Sequence, residues 1–316
     1  MYLFDDDDEE FVKSTHRLYL VFLLWIFSSV GAHAQSTPSP LSPAARWAST
    51  VSEQYIIYPD ITYGVANNYT LKLDVWQRKN AKTSTPTLIY YHGGGWIWGD
   101  RTGATLFFLP YLEMGWNVVN VEYRMASVSM APAAVEDCRC ALRWTVRNAK
   151  QYNIDTDRIV LTGHSAGAHL ALITGMLTEG TGLDNNCFGD EKLKVAAIVN
   201  WYGVSDVTDL LQGPNQKNYA ATWMGSQPDQ LAIAKRVSPL TYIHAGLPAI
   251  ISIHGDEDSV VPYEQSVRLH KALTAAGVPN DLITIKGGGH GQFNDAELED
   301  AYTKLHAFLR AHGLLQ

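Results

Sequence analysis

The sequence predicts an α/β fold in which a mostly parallel sheet of eight strands carries helices on both faces. Short apolar segments rich in β-branched residues alternate along the chain with longer segments of helical pattern. This order favours a parallel sheet, because each helix returns the chain to the edge from which the next strand starts. The chain has 316 residues, of which 46% are hydrophobic and 18% charged, which is enough for one large core. With no internal repeat, residues 51–316 are expected to form one domain.

The first strands are an antiparallel pair over 53–59 and 70–76, where Leu71, Leu73 and Val75 alternate with polar residues. Further strands are predicted over 86–91, 117–123, 158–162, 194–201, 247–254 and 281–285. Helices are predicted over 102–114, 132–152, from 168 onward, over 263–276 and over 294–312. Pro132 suits the first turn of the second helix. The mixed segment 202–237 is expected to form short helices that cover the mouth of the functional site.

The first 34 residues have the features of a secretory signal peptide. Lys13 and Arg17 precede an apolar run over 18–30, and Ala32-His33-Ala34 is a typical cleavage site. We therefore expect cleavage after Ala34 and a secreted or periplasmic protein. The six acids at 5–10 are unusual in such a segment, and they leave open a start codon assigned too early or an uncleaved anchor. Residues 35–50, rich in serine and proline, are predicted to form a disordered tether.

Charge and cysteine content limit the partners and cofactors. A formal net charge of -8 argues against nucleic acid or an anionic membrane as a stable partner. In an exported chain, Cys187 is expected to bridge Cys138 or Cys140, which are two residues apart on a helix and therefore face different ways. Three buried thiols are the alternative. The cysteines lack metal-site spacing, and no metal or organic cofactor is expected. The oligomeric state stays open.

The segment Gly163–Gly167 has the G-x-S-x-G pattern between a predicted strand and a predicted helix. This arrangement is typical of a nucleophile elbow, a turn so sharp that the serine backbone is strained. The flanking glycines are needed because a Cβ would meet the neighbouring chain. We therefore predict Ser165 as a nucleophile that stands above the carboxyl edge of the sheet.

A glycine-rich segment, His92–Trp96, follows the strand over 86–91. Such a loop can turn backbone N–H groups towards a developing oxyanion. We predict Gly94 and Gly95 as donors from this loop, together with the N–H group of Ala166. A glycine-rich loop without that role is the alternative. His92 is expected to support the loop. The substrate pocket is expected to be formed by Trp96, His164, Trp201 and Tyr202.

A base and an orienting acid should follow the nucleophile in the order serine, acid, histidine. The loop over 254–262 carries three carboxylates after a buried strand, and we assign the acid to Asp258, with Asp256 as the alternative. His290 stands among four glycines after the last strand, where its ring has room to reach the serine. We assign it the role of the base, with His254 as the alternative.

Together these motifs resemble the BD-FAE-like branch of the α/β-hydrolase superfamily, which is related to hormone-sensitive-lipase-like carboxylesterases. The resemblance covers most of residues 55–312. His164 stands where hormone-sensitive-lipase-like enzymes usually have an acid, which favours the BD-FAE-like branch. The resemblance implies a serine esterase that hydrolyses short acyl esters, acetyl or feruloyl, through an acyl-enzyme. Its substrate would be a small molecule or a polysaccharide-borne ester. An amide hydrolase, either a prolyl-oligopeptidase-like peptidase or an arylformamidase, and a non-catalytic binding protein are the alternatives.

Overall fold

The computed structural model of the protein describes residues 41–178, 180–187 and 189–316. The predicted signal peptide, the proposed cleavage site and residues 35–40 of the predicted tether lie outside this range. The chain divides between Trp47 and Ala48, and residues 48–316 form one compact unit.

An eight-stranded sheet organises the compact unit, and it confirms the predicted fold class. The strands are β1 (Tyr55–Ala66), β2 (Tyr69–Arg78), β3 (Thr85–Tyr91), β4 (Asn117–Val121), β5 (Ile154–His164), β6 (Ala197–Trp201), β7 (Ala249–Gly255) and β8 (Asn280–Ile285). Their order in the sheet is β1-β2-β4-β3-β5-β6-β7-β8. The strands β1, β2 and β4 pair antiparallel with one another in that order, and every later pairing is parallel.

Helices of varied length connect the strands. The described α-helices are α1 (Pro43–Gln54), α2 (Leu109–Glu113), α3 (Ala133–Arg147), α4 (Ala166–Met176), α5 (Asn218–Met224), α6 (Gln230–Arg236), α7 (Glu264–Ala275) and α8 (Asp295–Ala311). Short 3-10 helices occur at Thr105–Phe108, Thr208–Leu210, Gly213–Asn215 and Pro239–Tyr242. The segment 202–237 therefore consists of short helices, as its mixed composition indicates.

The helix α1 corrects part of the predicted tether, because residues 43–50 are helical. The Ser42 hydroxyl accepts a hydrogen bond from the Ala45 N–H group at 3.1 Å, which caps the first turn. Pro43 occupies the first helical position, where a missing N–H group costs nothing. These local signals explain why a segment that begins with serine and proline continues as a helix.

The helix predicted over 102–114 is divided into a 3-10 turn and the short helix α2. Pro110 lies in the first turn of α2 and cannot donate a backbone hydrogen bond, so a continuous helix through this point is unfavourable. The helix predicted over 132–152 ends at Arg147. There the N–H group and the side chain of Asn148 both donate to the Trp144 carbonyl, at 3.0 and 2.8 Å, and close the last turn of the helix.

The two faces of the sheet pack against different helices. In β3, Ile89 and Tyr91 belong to the large core that includes residues of α3, α4 and α7. Tyr90 points to the opposite face, where its ring contacts Phe108 at 5.6 Å. This alternation buries β3 on both sides, as expected for a central parallel strand.

A disulfide joins Cys140 of α3 to Cys187, while Cys138 is a buried free thiol. One of the two predicted pairings is therefore present. The bridge ties the excursion between α4 and β6 to the helix that packs beside α4.

Candidate active site

Ser165 occupies the sharp turn between β5 and α4. Its φ and ψ are 56° and -119°, a strained backbone conformation for a residue with a Cβ. Its N–H group donates to the Trp201 carbonyl at 2.9 Å. A Cβ on Gly163 would lie 2.4 Å from the Tyr91 carbonyl oxygen, and one on Gly167 would lie 2.0 Å from it. The G-x-S-x-G spacing is thus required by the close approach of β3 to the turn.

The glycine-rich loop after β3 runs beside this turn. Gly94 and Gly95 both have positive φ values, of 115° and 59°. A Cβ on Gly94 would come within 1.9 Å of the Trp98 carbonyl oxygen, so this position accepts only glycine. The N–H groups of Gly94 and Gly95 donate to no acceptor within the described part of the chain. The same holds for the N–H group of Ala166, the first residue of α4, so three donors near Ser165 are unpaired.

His290 and Asp258 form a hydrogen-bonded pair above the sheet. His290 Nδ1 donates to Asp258 Oδ2 at 2.7 Å. The other carboxylate oxygen, Oδ1, accepts from the N–H groups of Val260 and Val261 at 2.8 and 2.9 Å. Burial alone would raise the pKa of Asp258. The hydrogen bonds from His254, His290 and the Val261 N–H group outweigh burial and lower this pKa far below its usual value. Asp258 is therefore a fixed carboxylate.

The alternative base, His254, is fully buried and lies beside Asp258. Its Nε2 lies 3.0 Å from the Val261 carbonyl and 3.2 Å from Asp258 Oδ2, so this nitrogen carries the proton. Its Nδ1 then accepts from the Ser266 hydroxyl at 2.7 Å. Both ring nitrogens are thus occupied by groups other than Ser165.

The alternative acid, Asp256, has Lys286 and Gly287 as its hydrogen-bond partners instead of His290. Its Oδ2 accepts from Lys286 Nζ at 2.7 Å, and its Oδ1 accepts from the Gly287 N–H group at 2.6 Å. These contacts hold the loop that carries His290 against the loop that carries Asp258.

Ser165 and His290 line one cavity of about 710 Å³ at the carboxyl edge of the sheet. Ser165 Oγ makes no hydrogen bond with any other described residue, His290 included. Hydrogen bonds of this kind often tighten only when a substrate is bound. The cavity wall also includes, among others, Tyr90, Trp98, Phe107, Tyr202, Tyr219 and Val260.

Two of the four predicted pocket residues, His164 and Tyr202, are in the cavity wall, but Trp96 and Trp201 are not. Trp96 is fully buried and stacks on Trp223, with ring centroids 4.1 Å apart. Trp201 lies behind His164, with its ring stacked at 5.4 Å. The prediction was wrong for both tryptophans because it took proximity in sequence for exposure to the cavity.

The wall contains residues that sequence reasoning did not single out. Phe107 from the 3-10 turn is 50% exposed, and Tyr219 comes from the short helix α5. The Tyr219 hydroxyl donates to the Val260 carbonyl at 2.9 Å, which links the covering segment to the loop of the acid. No sequence motif marks either residue, although the prediction of a cover over 202–237 gave the region of Tyr219.

Burial holds three histidines near the site, His92, His164 and His169, in the neutral form. It lowers the pKa of His92 and of His169 to about 4, and it lowers the pKa of His164 to about 3. His92 stacks on Tyr123 at 4.4 Å, and its Nδ1 lies 2.8 Å from the Gly93 carbonyl, which fits the expected supporting role.

Within the described ranges, no cluster of three or more histidine, cysteine or acidic side chains could hold a metal ion. In the same part of the chain, no helix has the length and apolar character needed to cross a bilayer.

Known proteins resemble this chain over most of its length. The BD-FAE family model matches residues 73–273. Esterase LipQ of Mycobacterium tuberculosis is 31% identical over 243 residues, covering 74% of this chain and 55% of the relative. The probable carboxylic ester hydrolase LipM of the same organism is 30% identical, covering 77% and 56%. The chain therefore spans about half the length of these curated relatives.

A solved structure described as a truncated carbohydrate esterase from gut microbiota shares the fold, with a TM-score of 0.69 and 28% identity. The match covers 79% of this chain and 95% of that one. The family match, the sheet order and the strained serine turn agree, and we conclude that the chain belongs to the BD-FAE family of α/β-hydrolases.

Proposed function

We propose that this protein is a serine carboxylic-ester hydrolase that uses Ser165 as the nucleophile, His290 as the base and Asp258 as the orienting acid. The observation that carries the proposal is the 2.7 Å hydrogen bond from His290 Nδ1 to the buried carboxylate of Asp258, beside the cavity that Ser165 lines. The esterase names of the relatives support the same reaction class.

The proposed first step is the transfer of the Ser165 hydroxyl proton to His290. Nδ1 of the neutral His290 ring carries a proton, because it donates to Asp258. Nε2 is therefore unprotonated and can accept the serine proton. Ser165 Oγ then attacks the ester carbonyl carbon and forms a tetrahedral oxyanion. The ionised Asp258 stabilises the imidazolium that results.

The unpaired N–H groups of Gly94, Gly95 and Ala166 are the donors we assign to the oxyanion. Donors that are already aimed at the developing charge need no reorganisation during the reaction. As the tetrahedral intermediate collapses, His290 protonates the leaving alcohol and an acyl-enzyme on Ser165 remains. Water, deprotonated by His290, then releases the carboxylic acid and restores the serine.

We propose short acyl esters, acetyl or feruloyl, as substrates. The cavity wall includes several aromatic rings and glycines, which suits an apolar acyl group. The alcohol could belong to a small molecule or to a polysaccharide, as the name of the carbohydrate esterase neighbour suggests for that protein. Amide hydrolysis is the alternative that the same machinery could perform.

The test is turnover of p-nitrophenyl acetate and butyrate by the purified chain and by Ser165→Ala. We expect the variant to lose a factor of about 10⁴ or more in kcat, since the nucleophile is removed. A fluorophosphonate probe should label the native chain once and leave the variant unlabelled. Equal ester turnover by the two proteins would overturn the proposal. Faster turnover of aminoacyl p-nitroanilides would replace esterase by amidase.

We also propose that the protein is exported after cleavage behind Ala34. The Cys140–Cys187 disulfide supports this location, because disulfides persist in oxidising compartments. N-terminal sequencing of the exported protein tests the proposal, with Gln35 expected as the first residue and Met1 as the contrary result.

A further inference from the structure

His164, the residue before the nucleophile, has a ring in the cavity wall to which the proposed mechanism gives no role. The rings of Tyr90, Phe107, Trp201 and Tyr202 surround it, with centroids between 4.6 and 5.8 Å away. Burial among these rings, with a smaller contribution from His290, lowers the pKa of His164 to about 3. At neutral pH the imidazole is therefore uncharged and has one N–H group.

Tyr90 determines which nitrogen carries that proton. The Tyr90 hydroxyl lies 2.9 Å from His164 Nδ1. Burial raises the pKa of Tyr90 well above its usual value, so its hydroxyl keeps the proton. Tyr90 is fully buried, and among the described residues its hydroxyl has only Nδ1 as an acceptor. The hydroxyl must donate to Nδ1, because a buried donor without an acceptor is costly. The proton of His164 is consequently on Nε2.

The Nε2–H group has no partner within the described part of the protein. The His164 side chain makes one hydrogen bond with another described residue, and that bond joins Nδ1 to Tyr90. Nε2 makes none, and it is not enclosed by protein atoms. Because the ring lines the cavity, this donor is open to whatever the cavity contains. It lies one residue from Ser165 and is distinct from the three backbone donors assigned to the oxyanion.

We propose that His164 is a specificity-determining residue whose Nε2–H group donates a hydrogen bond to an uncharged oxygen of the substrate, next to the ester under attack. The inference rests on the proposed ester hydrolysis and narrows its substrate class. Such a hydrogen bond would favour esters that carry an ether, hydroxyl or carbonyl oxygen close to the scissile bond, on the acyl side or on the alcohol side.

Two matched pairs of esters test the inference and distinguish the two sides. The acyl pair is p-nitrophenyl methoxyacetate and p-nitrophenyl butyrate. The alcohol pair is 2-methoxyethyl acetate and butyl acetate. Within each pair an ether oxygen replaces a methylene group at nearly equal size. The measured quantity is kcat/KM for each ester with the native chain and with His164→Phe, which keeps a ring among the aromatic neighbours. Intrinsic reactivity cancels when the two proteins are compared on the same ester.

We expect His164→Phe to lower kcat/KM for the oxygen-bearing ester of one pair about 3- to 10-fold more than for its methylene partner, the usual effect of one neutral hydrogen bond. His164→Gln, which keeps a donor, should retain part of this preference. Tyr90→Phe should weaken the preference, because the proton is then free to move to Nδ1. Phe107→Leu changes the same wall without removing a donor, and it should affect both members of a pair equally.

Equal losses by His164→Phe on both members of both pairs would overturn the inference, since a purely structural role changes all esters alike. The inference is also rejected if His164→Phe fails to fold and neither His164→Gln nor Tyr90→Phe changes the preference. Failure of the proposed function gives a different result. In that case the native chain hydrolyses none of the four esters faster than Ser165→Ala, and both ideas are rejected.

Discussion

At the scale of single residues, the site depends on a few strained or buried groups that the surrounding structure holds in position. The backbone of Ser165 has a φ of 56°, and a conformation of this kind costs about 1–3 kcal/mol. Hydrogen bonds from the Ser165 N–H group to Trp201 and from the His169 N–H group to the Ser165 carbonyl, at 2.9 and 3.0 Å, maintain it. Ser165, the proposed nucleophile, is therefore oriented before any substrate arrives.

His169, one helical turn after Ser165, makes stability depend on pH. Its Nδ1 accepts from Trp96 Nε1–H at 3.1 Å, and its Nε2–H donates to the Val237 carbonyl at 2.7 Å. Burial lowers the pKa of His169 from 6.5 to about 4. As the pH falls from about 6.5 to 4, the His169 imidazole becomes protonated in the unfolded chain but stays neutral in the folded protein. This group should therefore remove about 3 kcal/mol of unfolding free energy over that window, with none lost above it.

Chemical denaturation of the native chain and of His169→Gln at pH 7.5, 6, 5 and 4.5 checks this dependence. The variant should be less stable at pH 7.5 and should lose less stability on acidification, because its amide binds no proton. His244→Gln, which removes an exposed imidazole, is the matched control and should follow the native curve. Parallel curves for the native chain and His169→Gln would show that this ring is not the source of the dependence.

The sequence was sufficient to identify Ser165, Asp258 and His290 as candidates, because their spacing follows from the order of strands. It was insufficient for the tryptophans. Trp96 follows the glycines of the loop, but its ring packs beneath the loop against Trp223, 127 positions later. No local pattern determines which side of a glycine-rich loop a ring will occupy. The contact depends on the covering segment, whose path is set by tertiary packing.

At the scale of elements, the disulfide joins a helix to a segment that lies outside the sheet. Cys140 lies on α3, and Cys187 lies in the excursion before β6, at a sequence separation of 47. The salt bridges of Arg143 to Asp184 and Glu191, at 3.7 and 3.1 Å, join the same two segments. Covalent and ionic contacts therefore act together where the chain has no sheet partner.

Replacing both bridged cysteines by serine should lower the unfolding free energy by about 4 kcal/mol, as expected for closure of a loop of this length. Denaturant unfolding of the native chain and of the double variant measures the difference. Cys138→Ser is the control that leaves the bridge intact. Alkylation of the unfolded, unreduced native chain should modify one thiol. Modification of three thiols would show that the bridge is absent.

Element boundaries were predicted less well than element types, and the causes are local. A helix over 102–114 was expected, but Pro110 divides it into a 3-10 turn and α2. The tether was expected through residue 50, but a serine cap starts α1 at Pro43. The parallel strands β5, β6 and β7 were predicted because each contains a buried apolar run of strand length.

At the scale of the whole molecule, the distribution of charge leads us to expect poor turnover of anionic substrates. The formal net charge is -8 for the full chain, and it is -4 after Ala34, because the six acids at 5–10 and the two bases Lys13 and Arg17 lie in the segment that we propose is cleaved. Asp100 lines the cavity, and a hydrogen bond from the Gly103 N–H group, with others from Thr102, lowers the pKa of Asp100 and keeps it ionised. No lysine or arginine contributes to the described wall of the cavity. A carboxylate on the substrate would therefore meet like charge in a wall that has no cationic side chain among its described residues.

We therefore predict that kcat/KM for the mono-p-nitrophenyl ester of glutaric acid is about 3- to 10-fold below that for p-nitrophenyl butyrate at low salt, a factor typical of like charges several ångströms apart near water. Raising the ionic strength from about 0.01 M to 1 M should narrow the gap, because the screening length falls from about 30 Å to 3 Å. Asp100→Asn should raise the ratio of anionic to neutral turnover, whereas Asp229→Asn, an exposed carboxylate that is not part of the cavity wall, should leave it unchanged. A ratio that responds to neither salt nor Asp100→Asn would mean that steric fit, and not charge, governs entry to the cavity.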